Sequence, residues 1–147
     1  PISTRPWQHV LEPLSGYIWL ACKLEEDESL NGESFNFGPK AEQNRTVLDL
    51  IDNLSKYWDF KTTDEAYEYV EMKKFKEAGL LKLNIDKALF HLDWEPNLNY
   101  EQTIRFVSEW YYTFYRDNPG DMYDFTMKQL AEYENVAEEN GLIWTGN

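Results

Sequence analysis

Cysteine is almost absent from this sequence. The single cysteine, Cys22, excludes an internal disulfide bond and any cysteine-based zinc cluster. It stands among apolar residues at helical spacing, so we expect a small buried hydrophobic side chain and not a reactive thiol. Histidine is scarce as well, because His9 and His91 are the only two in the chain. The sequence therefore predicts no metal site.

Long apolar runs are also missing. No stretch approaches the ~20 apolar residues of a membrane-spanning helix, and no basic-then-apolar signal segment precedes Trp7. We therefore expect a soluble, unsecreted, cytoplasmic protein without a membrane partner. The opening residues, Pro1 to Thr4, resemble the interior of a longer polypeptide, and we expect a fragment or processed piece.

Basic residues are few relative to acidic residues. Fourteen Lys and Arg residues stand against 27 Asp and Glu residues, which gives a net charge of −13. Such a balance repels nucleic-acid backbones and anionic lipid unless basic residues cluster, and along this sequence they do not. We expect no nucleic-acid partner. A small anionic ligand would need a local site built from one or two arginines.

Recognisable catalytic motifs are lacking too. The sequence contains no GxGxxG, P-loop, GxSxG or HExxH pattern. Tyr69 and Lys73 have the YxxxK spacing of short-chain dehydrogenases, but the charged neighbours Glu68 and Glu71 indicate a solvated helix face and a chance match. We predict no catalytic residue and no cofactor held by this chain.

Apolar residues at three- and four-residue spacing predict several amphipathic helices within a single domain, residues 1–147. The first runs from Val10 to Leu24, and its apolar face consists of Val10, Leu14, Tyr17, Ile18, Ala21 and Leu24. Five more helices are predicted. One begins at the Thr46/Asp49 cap and runs through Trp58, and the next runs from Asp64 toward Gly79. The other three begin after Asp86, after the Asn99/Gln102 cap, and at about Tyr123, the last of them ending at Glu139.

Two short alternating runs predict β-strands. Ser34 to Phe37 lies between turn residues, and Leu81, Leu83 and Ile85 alternate with polar residues. Strands this short either pair with each other against the helices or form the edge of a sheet whose other strands lie elsewhere. The predicted fold class is α+β and mostly helical, with two or so short strands and about five helices.

One stretch, RPWQHVLEPLSGYIWLA at residues 5–21, points to a ligand. Arg5 precedes a helix beside Pro6 and Trp7, which stiffen its approach, and a guanidinium so placed is suited to bidentate hydrogen bonds with a diphosphate. The alternative from the residues alone is an ordinary surface ion pair with a nearby carboxylate.

Several motifs in order resemble those of one enzyme family. The residues 5–21 stretch is similar to a segment of CDP-glucose 4,6-dehydratases, a branch of the extended short-chain dehydrogenase/reductase superfamily. The resemblance to this family continues along the chain. It includes the stretch from Phe35 to Pro39, Thr46-Val47, the stretches Leu83 to Ala88 and Leu92 to Pro96, Trp110-Tyr111 in its helix, and the last helix with Gln129 and Tyr133. Together these motifs cover nearly the whole chain.

This resemblance implies that the chain is the C-terminal, sugar-nucleotide-binding part of such an enzyme, with an N-terminal Rossmann half missing. It implies a CDP-glucose-like ligand, and NAD bound by the intact parent. By position, Arg5 matches the family's diphosphate arginine, and Asn36 lies in the strand that borders the nucleotide. Two departures stand out: Lys76-Glu77-Ala78 replaces His-Glu-Ala, which puts nucleotide contacts there in doubt, and Leu92-Asp93-Trp94 replaces Leu-Gly-Trp.

Two other functions remain open at this point. The chain could be a stand-alone binding or assembly module that kept the fold without the chemistry. It could also be the same part of a related nucleotide-sugar epimerase, because the superfamily shares this architecture. A homo-oligomer is compatible with each of these functions.

Overall fold

The computed structural model describes residues 3–70, 79–117 and 120–146. Within these ranges five α-helices and one two-stranded antiparallel sheet form a mostly helical α+β fold, which confirms the predicted fold class. The elements in chain order are β1 (Thr4–Arg5), α1 (Leu11–Glu26), β2 (Arg45–Thr46), α2 (Val47–Ser55), α3 (Asp86–Leu92), α4 (Tyr100–Tyr112) and α5 (Tyr123–Glu139).

The strands lie elsewhere than predicted. β1 and β2 pair with Thr4 opposite Thr46 and Arg5 opposite Arg45, and Thr4 also forms a parallel bridge with Leu80. The predicted strands at 34–37 and 81–85 are wrong, because both segments lie outside the ladder and carry no regular secondary structure. Their alternation has another cause: Phe37 is buried, and Phe35 and Ile85 pack against the same core cluster.

Trp94 is the centre of the first core cluster. Its indole is fully buried, and its Nε1 donates to Ser15 Oγ on α1 over 3.1 Å. Trp19, one turn further along α1, donates from Nε1 to the Leu92 carbonyl over 2.6 Å. These two indoles attach α1 to α3 and to the segment that follows α3. The buried members of the cluster are Leu30, Phe37, Ala88, Leu92 and Trp94.

The second core cluster joins α4 to α5 through Leu98, Phe106 and Tyr133. Gln129 on α5 is buried and donates from Nε2 to the Phe106 carbonyl over 2.8 Å. Trp144, which follows α5, stacks on Tyr133 with the ring centroids 5.8 Å apart.

A buried carboxylate connects the two clusters. Glu12 on α1 accepts hydrogen bonds from the backbone N–H groups of Asn97 (2.8 Å) and Leu98 (2.7 Å). Burial raises the pKa of Glu12, and the two backbone hydrogen bonds oppose that shift. Because each oxygen accepts one N–H, the buried carboxylate has the partners that burial of a polar group requires.

Most of the predicted helices are confirmed, and their caps explain where they begin. Thr46 and Asp49 form a capping box at α2, and Asn99 and Gln102 form another at α4. α2 ends at Ser55, so the prediction of a helix through Trp58 was too long. α5 covers the predicted range from Tyr123 to Glu139.

The predicted helix from Asp64 toward Gly79 is wrong in the part that is described. A single 3-10 turn spans Thr63–Ala66, and residues 67–70 are non-helical. Residues 71–78 lie outside the described ranges, so Lys73 and the Lys76-Glu77-Ala78 departure are not placed. Tyr69 is exposed and stands outside any helix, so the predicted helical setting of the YxxxK spacing is absent at this residue.

α1 forms where predicted but faces the opposite way. Glu12 and Gly16 are buried, whereas the predicted apolar face points outward. Cys22 is exposed as well, so the prediction of a buried cysteine is wrong. The helix has apolar residues on more than half of its circumference, and the core takes only the side that carries Gly16 and Trp19. The outward residues of the predicted face are Val10, Leu14, Tyr17, Ile18, Ala21 and Leu24.

None of the helices in the described ranges combines the length and the apolar character that crossing a bilayer requires.

Candidate functional site

Arg5 is held on the edge of the small sheet. It is half-buried, and its Nη1 donates to the Thr4 carbonyl over 2.7 Å. Trp7 attaches the stretch after Arg5 to β2, because its Nε1 donates to the Arg45 carbonyl over 3.0 Å. The stiff approach that the sequence predicts for Arg5 is therefore built from the β1–β2 ladder and the Trp7 indole.

A shallow depression, here called the Arg5 hollow, lies beside this arginine. Among the described residues, three stretches of chain meet there: the end of β1, the loop that leads to β2, and the segment after Leu80. The lining residues are Arg5, Pro6, Pro39, Lys40, Ala41, Gln43, Asn44, Leu81, Lys82 and Leu83.

Asn36 lies on a neighbouring segment. Its side chain is exposed and donates from Nδ2 to the Asn84 carbonyl over 3.3 Å. Gln8, three residues after Arg5, donates from Nε2 to the Phe37 carbonyl over 3.1 Å, which ties the Arg5 stretch to the Asn36 segment. Arg5 lines the hollow and Asn36 is not among its lining residues. The roles assigned to these two side chains stay predictions.

His9 belongs to the same stretch but is turned into the core. Its Nδ1 accepts from the Leu11 backbone N–H over 3.3 Å, and its ring packs edge-on against Phe106 at 5.6 Å. Burial lowers the pKa of His9, so the imidazole is neutral at pH 7. In the described part of the chain, no group of three or more His, Cys, Asp or Glu residues is arranged to hold a metal ion.

The outward side of α1 carries the residues of the predicted apolar face, which are exposed. Ile18 is 68% exposed and Val10 is 61% exposed. Between α1 and α5 runs an apolar groove lined by Leu11, Leu14, Ile18, Cys22, Leu130 and Trp144, among others. The signal for this orientation was the polar or small residues Glu12, Ser15 and Gly16, which recur at helical spacing and form the inward side.

The chain has a relative among characterised enzymes. No family model matches it. Over 138 residues, however, it is 34% identical to the CDP-glucose 4,6-dehydratase of Salmonella typhimurium. The chain is thus similar to one part of that enzyme. The alignment covers 93% of this chain and 37% of the Salmonella protein. This confirms the predicted resemblance to one part of such an enzyme.

Proposed function

We propose that this chain is the nucleotide-sugar-binding part of a CDP-glucose 4,6-dehydratase-like enzyme and is inactive by itself. The observation that carries the proposal is the 34% identity, which extends over 93% of the chain but only 37% of the relative. On this proposal Arg5 binds the diphosphate, and Asn36 lies beside the nucleotide.

NAD belongs to the part of the enzyme outside this chain. A dinucleotide site needs a glycine-rich turn between a strand and a helix. In the described ranges β2 runs directly into α2 without a glycine, and residues 6–10, between β1 and α1, contain none. These residues do not fit NAD, so we assign the redox and elimination chemistry to the missing Rossmann half.

The outward face of α1 is the proposed docking surface for that half. Contiguous apolar patches on soluble proteins mark interaction sites. Leu14, Tyr17 and Ile18 are each more than 40% exposed, whereas the opposite side of the same helix is packed. Covering this face would give a single core that extends across both parts.

Thermal unfolding of the complete polypeptide tests the ligand. CDP-glucose or CDP at a concentration of about 100 times its Kd should stabilise the folded state by about 2.7 kcal/mol, which raises the melting temperature. Arg5→Ala should weaken this protection, because a charge-assisted hydrogen bond to the diphosphate contributes about 1.5–3 kcal/mol. Arg116→Ala, which removes an exposed arginine after α4, is the matched control.

The absence of any shift with either ligand would contradict the proposal. Unchanged protection in Arg5→Ala would contradict only the role of Arg5. Product analysis with several nucleotide-sugars then distinguishes a dehydratase from a related epimerase.

A further inference from the structure

A pocket separate from the Arg5 hollow, here called the His9 pocket, lies where the start of α1 meets α4 and α5. It has a volume of about 480 Å³, which is within the size range of small-molecule sites. Its apolar walls include the Val107 and Leu130 side chains and the Trp110 indole. The described residues that line it and those that line the Arg5 hollow are different, so the two depressions are distinct sites.

His9 offers a hydrogen-bond donor to this pocket. Its Nδ1 accepts from the Leu11 backbone N–H, so in the neutral imidazole the proton is on Nε2. The residue is only 9% exposed, and within the described part of the chain Nε2 has no hydrogen-bond partner. This nitrogen is nevertheless not sealed inside the core, so it can be reached from the pocket that His9 lines. A buried donor left without a partner points to a ligand that accepts from it.

Gln129 offers an acceptor to the same pocket. The residue is 7% exposed, and its Nε2 donates to the Phe106 carbonyl of α4 over 2.8 Å, which fixes the orientation of the amide. No donor among the described residues reaches its Oε1, and this oxygen is likewise not sealed inside the core. The pocket therefore presents one donor and one acceptor, each on a side chain that is more than nine-tenths buried.

Trp110 forms a flat wall of the pocket. Its Nε1 donates to Thr126 Oγ1 over 2.9 Å, which holds the indole between α4 and α5. The Phe114 ring stacks on the indole with the ring centroids 5.4 Å apart. An indole held in this way offers its flat apolar surface to a second ring.

The pocket suits an uncharged ligand. The described residues that line it carry no charge at pH 7, because burial lowers the pKa of His9 and keeps the imidazole neutral. A charged ligand would lose its hydration there without gaining a partner of opposite charge. Val10, which also lines the pocket, belongs to the outward side of α1. On the proposed docking, the pocket would lie at the boundary between the two parts of the enzyme, where ligand sites are common.

We propose that the His9 pocket binds a small uncharged aromatic ligand with a phenol-like hydroxyl group. The hydroxyl oxygen accepts from His9 Nε2 and donates to Gln129 Oε1, while the ring packs against Trp110. A hydroxyl suits these two polar atoms because one oxygen both accepts and donates. This ligand is distinct from the nucleotide-sugar and binds at a site of its own.

Isothermal titration calorimetry of the complete polypeptide with p-cresol, toluene and p-toluate tests the pocket. The three probes share a methyl-substituted ring, which carries a hydroxyl in p-cresol, no polar group in toluene and a negative charge in p-toluate. p-Cresol should bind about tenfold more tightly than toluene, since it alone makes the hydrogen bonds. p-Toluate should not bind.

Three variants locate the binding site. His9→Phe removes the donor but keeps a ring, so it should bind p-cresol and toluene equally well. His91→Phe is the matched control, because this histidine is exposed on α3 and does not line the pocket, and it should keep the preference for p-cresol. Val107→Phe fills the pocket and should abolish the binding of both probes. Far-UV circular dichroism checks that each variant is folded.

Equal binding of p-cresol and toluene by the wild type would overturn the proposal, and so would the binding of neither, as expected if the missing half of the enzyme fills the pocket. A preference for p-cresol that persists in folded His9→Phe, or p-cresol binding that persists in folded Val107→Phe, would place the hydroxyl elsewhere and also overturn it. Protection by CDP-glucose is measured separately and decides the proposed function alone.

Discussion

At the scale of single residues, Gly16 shows why small and polar residues occupy the inner side of α1. Phe37 is buried against this glycine and packs edge-on against Trp94, with the ring centroids 4.9 Å apart. A Cβ at position 16 would overlap the Phe37 ring. The glycine therefore lets an aromatic side chain approach the helix backbone closely, which outweighs its low helix propensity.

Gly16→Ala should destabilise the protein by about 1–3 kcal/mol, the usual cost of overpacking a core. This is opposite in sign to the gain of about 1 kcal/mol that the same change gives in an exposed helix. Urea unfolding measures the difference. Phe37→Leu removes the ring, so Gly16→Ala should cost less in that background. An equal cost in both backgrounds would show that Phe37 is not the cause.

At the scale of secondary-structure elements, α1 is an amphipathic helix with two apolar sides. One side packs on the Trp94 cluster through Trp19 and Leu20, while Ile18 and its neighbours point outward. A helix with apolar residues on opposite sides is normally buried on both of them. The outward side therefore agrees with the proposal that another part of the enzyme covers it.

Ile18→Ser tests that coverage in the complete polypeptide. Burial of an Ile side chain stabilises by about 1.5–3 kcal/mol, so this substitution should destabilise by about 2 kcal/mol if the α1 face is covered. Phe90→Ser is the matched control, because Phe90 is 81% exposed on α3 and is not among the residues that line the groove beside α1. It should change the unfolding free energy by less than about 0.5 kcal/mol. Equal, small effects of both substitutions would show that the α1 face stays open to solvent.

At the scale of the whole molecule, stability depends on pH through two buried groups with opposite effects. Burial lowers the pKa of His9 from its ordinary 6.5, so below pH 6.5 the unfolded chain binds a proton that the folded chain does not. This destabilises the fold as the pH decreases from 6.5 to the folded-state pKa. Burial raises the pKa of Glu12 above its ordinary 4.5, so the folded chain binds its proton first. This stabilises the fold as the pH decreases toward 4.5.

His9→Gln isolates the histidine contribution. As the pH decreases from 7.5 to 5.5, the unfolding free energy of the variant should rise relative to the wild type by up to about 1.4 kcal/mol per pH unit below 6.5. Denaturant unfolding at both pH values measures the difference. A pH-independent difference for His9→Gln would mean that His9 titrates alike in both states.

Local sequence signals were sufficient where the determining contacts are local. The capping boxes of α2 and α4 each lie within four residues, so the starts of both helices could be predicted from side-chain chemistry alone. The strands could not be predicted, because β1 pairs with β2 across about forty residues and each is two residues long. Arg5 was singled out through its motif, whereas the other residues that line the hollow join Arg5 only in the folded chain.

The sequence by itself determined the mostly helical class, the places of α1, α2, α4 and α5, and the relationship to CDP-glucose 4,6-dehydratase. These properties depend on composition, on periodicity and on the order of motifs, which need no knowledge of distant contacts. Only the tertiary structure decided which side of α1 is buried and which cations surround Arg5. Both outcomes depend on contacts between distant segments: Glu12 with the Asn97 and Leu98 backbone, and Lys82 with the loop that leads to β2. Such contacts exist only after the chain has folded.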